Sequence, residues 1–84
     1  MTGGAPAIVK RSLRIAGHAT SISLEAPFWR LLRHAAASDG LSIAAYVERI
    51  DREQRSGNLS SAIRVHLLEW LMTRGRISID NSEE

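Results

Sequence analysis

The chain has 84 residues and no cysteine, and its 11 Lys and Arg stand against 9 Asp and Glu for a formal net charge of +2. That length allows one domain, and the missing cysteines exclude a disulfide framework or a Cys-based zinc site and fit a reducing cytoplasm. No stretch approaches the ~20 apolar residues of a membrane span, and Met1–Ala7 lacks the charged start and apolar core of a signal peptide, so a soluble cytoplasmic protein is expected.

Residues 1–7 are small and Gly-rich and read as a disordered leader, ahead of one domain over residues 8–75. From Ile8 to Ile15, Val9, Leu13 and Ile15 share one parity while Lys10, Ser12 and Arg14 take the other, a strand pattern. Ala16-Gly17-His18 suits either a hairpin or a simple bend. A second alternation follows over Thr20–Leu24, with Ile22 and Leu24 on one face and Ser21 and Ser23 on the other. Such a strand needs partners for its backbone N–H and C=O groups.

Pro27 is tolerated only in the first turn of a helix, and it opens one whose expected core face is Phe28, Leu31, Leu32 and Ala35. Trp29 stands one step round, beside Leu32 and Arg33, where a dimer-interface or third-helix contact is expected. Asp39-Gly40 ends this helix, with Gly40 suited to the left-handed C-terminal position. Ser42 caps a second helix running to about Arg55, with Ile43, Tyr46, Val47 and Ile50 on its apolar side. Its charged side reads as solvated, with Glu48 and Arg52 as an i,i+4 pair.

Ser56-Gly57 ends the second helix and Asn58 caps a third. Leu59, Ala62, Ile63, His66, Leu67, Trp70 and Leu71 form its wide stripe, and Val65, Leu68 and Met72 add flanking apolar surface. A helix so apolar must cover the rest of the unit, a second subunit or another protein. Arg74-Gly75 stops it. Residues 76–84 alternate briefly at Ile77 and Ile79 and end as an acidic tail.

Little in the chain suits catalysis. Lys10 is the sole lysine, and neither a Gly-x-Ser-x-Gly elbow nor a phosphate-binding Gly loop occurs. His18, His34 and His66 have no metal-ligand spacing. No enzyme, metal site or cofactor is expected. The strongest functional feature is the basic arm of Lys10, Arg11 and Arg14, which has no acid within the first 24 residues and so attracts phosphate uncancelled. The peptide N–H groups of Leu41, Ser42 and Ile43, opening a helix, offer a second phosphate site. His18 could bond the ribbon backbone or a phosphate.

The strand Thr20–Leu24, the opening Glu25-Ala26-Pro27-Phe28 and the turn Gly40-Leu41-Ser42 together resemble the ribbon-helix-helix family of bacterial DNA-binding proteins. Lys10–Leu71 is similar to a group of short bacterial proteins of this class. The match rests on Lys10-Arg11-Ser12, Gly17-His18-Ala19-Thr20-Ser21, Ser23-Leu24-Glu25, Phe28-Trp29 and Asn58-Leu59-Ser60-Ser61-Ala62. Ala19 departs from the Arg usual in that group. The resemblance implies a mainly α fold with a short β ribbon, in which two chains pair one strand each as a homodimer, here with an added third helix. It favours Thr20–Leu24 as the intersubunit strand, although the residues alone leave the choice between the two strands open. Ile22, Leu24, Phe28, Trp29, Leu32 and Val47 are then expected at the dimer interface, in a core larger than one chain can close.

The resemblance further implies a small transcriptional regulator that places the ribbon in the major groove of double-stranded DNA. Ala19, Ser21 and Ser23 would face the bases, while Lys10, Arg11, Arg14 and the Leu41–Ile43 amides hold phosphate. The alternative, from another class, is a protein-interaction adaptor or antitoxin-like module that dimerises through the ribbon and docks a partner on its third helix.

Overall fold

The computed structural model describes residues 7–54 and 57–74; all of the expected leader except Ala7, the end of the second helix beyond residue 54 and the acidic tail lie outside the described residues. Two strands, β1 (Ile8–Ile15) and β2 (His18–Glu25), precede three helices, α1 (Ala26–Ser38), α2 (Ile43–Gln54) and α3 (Leu59–Arg74). The strands pair with each other in an antiparallel hairpin whose register runs from Ile8 opposite Glu25 to Ile15 opposite His18. The partner that Thr20–Leu24 requires is therefore in the same chain, and the expected intersubunit pairing of that strand is corrected.

A two-residue loop closes the hairpin, with positive φ at both Ala16 (52°) and Gly17 (86°). Turns of this hand match the right-handed twist of the flanking strands, which is why they dominate tight hairpins. Gly17 adopts the conformation freely, but Ala16 carries a Cβ into a region that disfavours it. The strain is held from outside the loop, because the Glu48 Oε2 carboxylate oxygen accepts the Ala16 backbone N–H at 2.6 Å.

Helix boundaries follow the expected chemistry. Pro27 stands in the first turn of α1. Gly40, at φ 69°, ends α1 in the left-handed conformation, with Gly40 N–H donating to Ala37 O at 3.0 Å and Leu41 N–H to Ala36 O at 2.9 Å. Ser42 Oγ accepts from Ala45 N at 3.1 Å, and Asn58 Oδ1 accepts from Ser61 N at 3.0 Å, capping α2 and α3. Glu48 and Arg52 form the expected pair at 3.7 Å.

The core lies between the inner face of the hairpin and the three helices. It contains Ile15, Ile22 and Leu24 from the strands, Trp29, Leu32, Ala35 and Ala36 from α1, Tyr46, Val47 and Ile50 from α2, and Ala62, Ile63 and Leu67 from α3. Ile22, Leu24, Leu32 and Val47 are each 0% exposed within one chain. The premise that these residues need a second chain to be buried is thus overturned, because α3 closes the core that a two-helix unit leaves open. Each such fully buried side chain contributes about 1.5–3 kcal/mol.

The buried face of α1 is also turned by one residue from the expected one. Trp29 is 3% exposed and Phe28 only partly buried, since Trp29 Nε1 donates to Val9 O at 2.9 Å and draws the indole under β1. Along α3, Ala62, Ile63 and Leu67 are buried as expected, Leu59 and Trp70 are partly so, and Val65 and Leu68 are exposed. Replacing Ala16 with Asn, which tolerates positive φ and forms the favoured Asn-Gly pair, should raise stability by about 0.5–1 kcal/mol in urea denaturation. Gly17→Ala, whose new Cβ would meet no atom within 4 Å, should lower stability through backbone strain alone.

Candidate nucleic-acid interface

Paired residues of an antiparallel ribbon project to the same face, so the register sorts the candidate residues into two sets. Lys10 stands opposite Ser23, Ser12 opposite Ser21, and Arg14 opposite Ala19. These six share the face turned away from the core, and all but the half-buried Ser23 are exposed. The side chains expected to meet bases and two of the three arm cations are therefore side by side on one surface.

Arg11 is on the other face. It pairs with Ile22, in the parity of Val9, Leu13 and Ile15, and its guanidinium carbon lies 5.2 Å from the centroid of the Trp29 ring. The basic arm, continuous in sequence, is thus divided in space. His18 is exposed at the turn end of β2, opposite Ile15. At the start of α2 the Leu41 N–H is already engaged by Ala36 O, while Ser42 is exposed and Ile43 half-buried.

The outer parity contains one carboxylate, that of Glu25 opposite Ile8, and it is neutralised locally. Arg64 Nε donates to Glu25 Oε1 at 3.0 Å, and Arg64 Nη2 donates to Ser23 O at 3.4 Å. The Glu25 carboxyl is held below its usual value, first by its backbone hydrogen bond and then by Arg64. The anion and its Arg64 clamp persist at neutral pH and are lost only as pH falls through that lowered value.

Ser60 Oγ also accepts the Ser23 N–H at 3.2 Å, so Ser60 and Arg64, four residues apart on α3, together cover the outer edge of β2. Since the Ser23 N–H and C=O both face α3, alternation along the ladder turns those of Lys10, Ser12 and Arg14 toward the outer edge of β1. Among the described residues no helix side chain hydrogen-bonds to that edge. Sequence reasoning missed Ser60 and Arg64, whose i,i+4 spacing was the only available signal.

A second polar group ties the helix ends together. Asp39 accepts from Arg49 and lies 4.0 Å from Arg74, and its carboxyl is held low chiefly by the Arg49 hydrogen bond. Tyr46 Oη and His66 Nε2 are 2.9 Å apart, and His34 meets the Trp70 ring edge-on at 5.8 Å. Two of the three histidines thus pack against aromatic rings, and among the described residues no group of His, Asp and Glu is placed to hold a metal.

The ribbon-helix-helix domain profile matches residues 8–71, most of the chain and all of the elements described above except the last residues of α3. The chain belongs to the ribbon-helix-helix domain family. Members generally bind DNA, as transcription regulators or antitoxins, and are typically not enzymes. The solved structure of an uncharacterized protein from Bordetella pertussis Tohama I is similar at 37% identity with a TM-score of 0.69. That likeness covers 88% of this chain but 65% of the neighbour, so the chain spans about two-thirds of its length. No curated protein matches the sequence significantly. No helix among the described residues is long and apolar enough to cross a membrane.

Arg11 stacked on Trp29 is expected to act on the fold. Arg11→Ala should cost about 0.5–1 kcal/mol of stability, read by chemical denaturation.

Proposed function

We propose that the protein is a small DNA-binding regulator of the bacterial cytoplasm whose hairpin enters the major groove with its outer face toward the bases. One chain supplies both strands of the ribbon. The observation that carries this reading is the cross-strand set Lys10–Ser23, Ser12–Ser21 and Arg14–Ala19 on one solvent face, where the only carboxylate is engaged by Arg64. A two-stranded ribbon has the dimensions of the major groove, and the α2 start at Ser42 and Ile43 offers N–H groups to a flanking phosphate. Lys10, a compact charge on a flexible stem, suits phosphate rather than a base edge.

Fluorescence anisotropy against duplex DNA at several salt concentrations tests this reading. Affinity should fall steeply with salt, with a slope near −0.9 for each phosphate neutralised. Lys10→Ala should weaken binding to all duplexes alike and make the slope shallower by about one. Binding that ignores salt would overturn the proposal.

We propose a homodimer, since ribbon-helix-helix domains typically dimerise. Pairing two copies through the uncovered outer edge of β1 would build a four-stranded sheet, wider than the two-stranded ribbon that the major groove admits, so the dimer that reads DNA associates through another surface. A wild-type monomer in sedimentation equilibrium at micromolar concentration would count against the dimer. The exposed Val65 and Leu68 on α3 favour a second reading, in which that face docks a protein partner, as in an adaptor or antitoxin.

A further inference from the structure

We infer that Arg14 selects the base, recognising a guanine in the major groove, so that the residue which discriminates sequences comes from β1 rather than β2. The inference rests on the hairpin reading DNA. Of the six side chains in the Lys10–Ser23, Ser12–Ser21 and Arg14–Ala19 pairs, Ser12, Ser21 and Ser23 can donate or accept and so fit several bases, while Ala19 offers only a methyl. Lys10 presents a single point charge. Arg14 alone has a planar fork of donors, and guanine alone places two acceptors, O6 and N7, side by side in the major groove to receive it. Adenine keeps N7 but sets an amino donor beside it, which opposes a guanidinium.

Two features of the hairpin prepare Arg14 for that contact. Its cross-strand partner is Ala19, so no long side chain stands between the guanidinium and the groove floor. Its Nη1 donates to Gly17 O at 3.1 Å, within the turn whose backbone is set by positive φ. This bond fixes one nitrogen and orients the plane of the fork, leaving Nη2 and Nε–H available. A side chain held before binding loses less freedom on contact. The turn therefore has a recognition role besides joining two strands.

The test selects duplexes from a randomised pool with the wild-type protein, then measures affinities for the selected site and for the same site carrying 7-deazaguanine, which lacks the N7 acceptor. The selected site should contain a guanine whose N7 removal weakens wild-type binding by about ten-fold or more. Arg14→Lys keeps the charge but loses the fork. It should fold as the wild type does, retain the salt dependence, and show a smaller 7-deaza penalty than the wild type, since one ammonium can still donate to N7 or O6 but without the fixed fork. Arg14→Ala with Ala19→Arg, which moves the fork to the paired position on β2, should restore a guanine requirement. If Arg14→Lys keeps the wild-type preference and the 7-deaza penalty, or the selected site lacks guanine, the assignment to Arg14 is overturned while DNA binding stands. If the wild type binds no duplex even at low salt, the reading of the hairpin as a DNA ribbon fails first.

Discussion

The antiparallel ladder between β1 and β2 is the constraint on which the remaining features depend. Because side chains alternate with a period of two, one register decides every facing at once. The register from Ile8–Glu25 to Ile15–His18 sends Val9, Leu13, Ile15, Ile22 and Leu24 toward the helices and the serines with two cations toward solvent. A slip of one residue would exchange the sets and leave neither a core nor a basic face. The two-residue loop with both φ values positive locks that register, and Glu48 holds the loop from α2.

The ladder also explains the size of the core. A strand partnered within its own chain turns its apolar face onto its own helices, and α3 then closes the other side with Ala62, Ile63 and Leu67. α3 is tied at two places: to the edge of β2 through Ser60 and Arg64, and to the end of α1 through Arg74 near Asp39. In this chain the third helix supplies apolar cover that the resemblance assigns to a second subunit. Ribbon formation then needs no second chain.

Much of this was legible in the residues. The caps at Ser42 and Asn58, the Gly40 terminus and the alternation of both strands are local chemistry, and local chemistry is written in short windows. The hairpin was not decisive because Ala16-Gly17 lacks the Asn or Asp that advertises a turn with positive φ; the conformation there is sustained by a carboxylate 32 residues away. Periodicity alone does not fix the core side of α1, because Phe28 and Trp29 both fit a helical stripe. What separates them is a hydrogen bond from the indole to β1, which no periodicity contains. Arg11 adjoins Lys10 in sequence, but a strand sends neighbours to opposite faces. The outer face could be assembled only once the register was known, since its residues come from two segments.

The bond from Glu48 to the Ala16 N–H fastens the hairpin tip to the second turn of α2, six residues beyond the Ser42 cap. Six residues of helix rise roughly 9 Å, and a helix is stiff over that length. The tip that carries Arg14 and the helix start that carries Ser42 are thereby linked through Glu48, like the two jaws of a caliper. On the proposed reading, a duplex that meets both would have to bring a base edge and a phosphate to a set separation. Groove width would then enter recognition alongside base identity, as a mechanical tolerance.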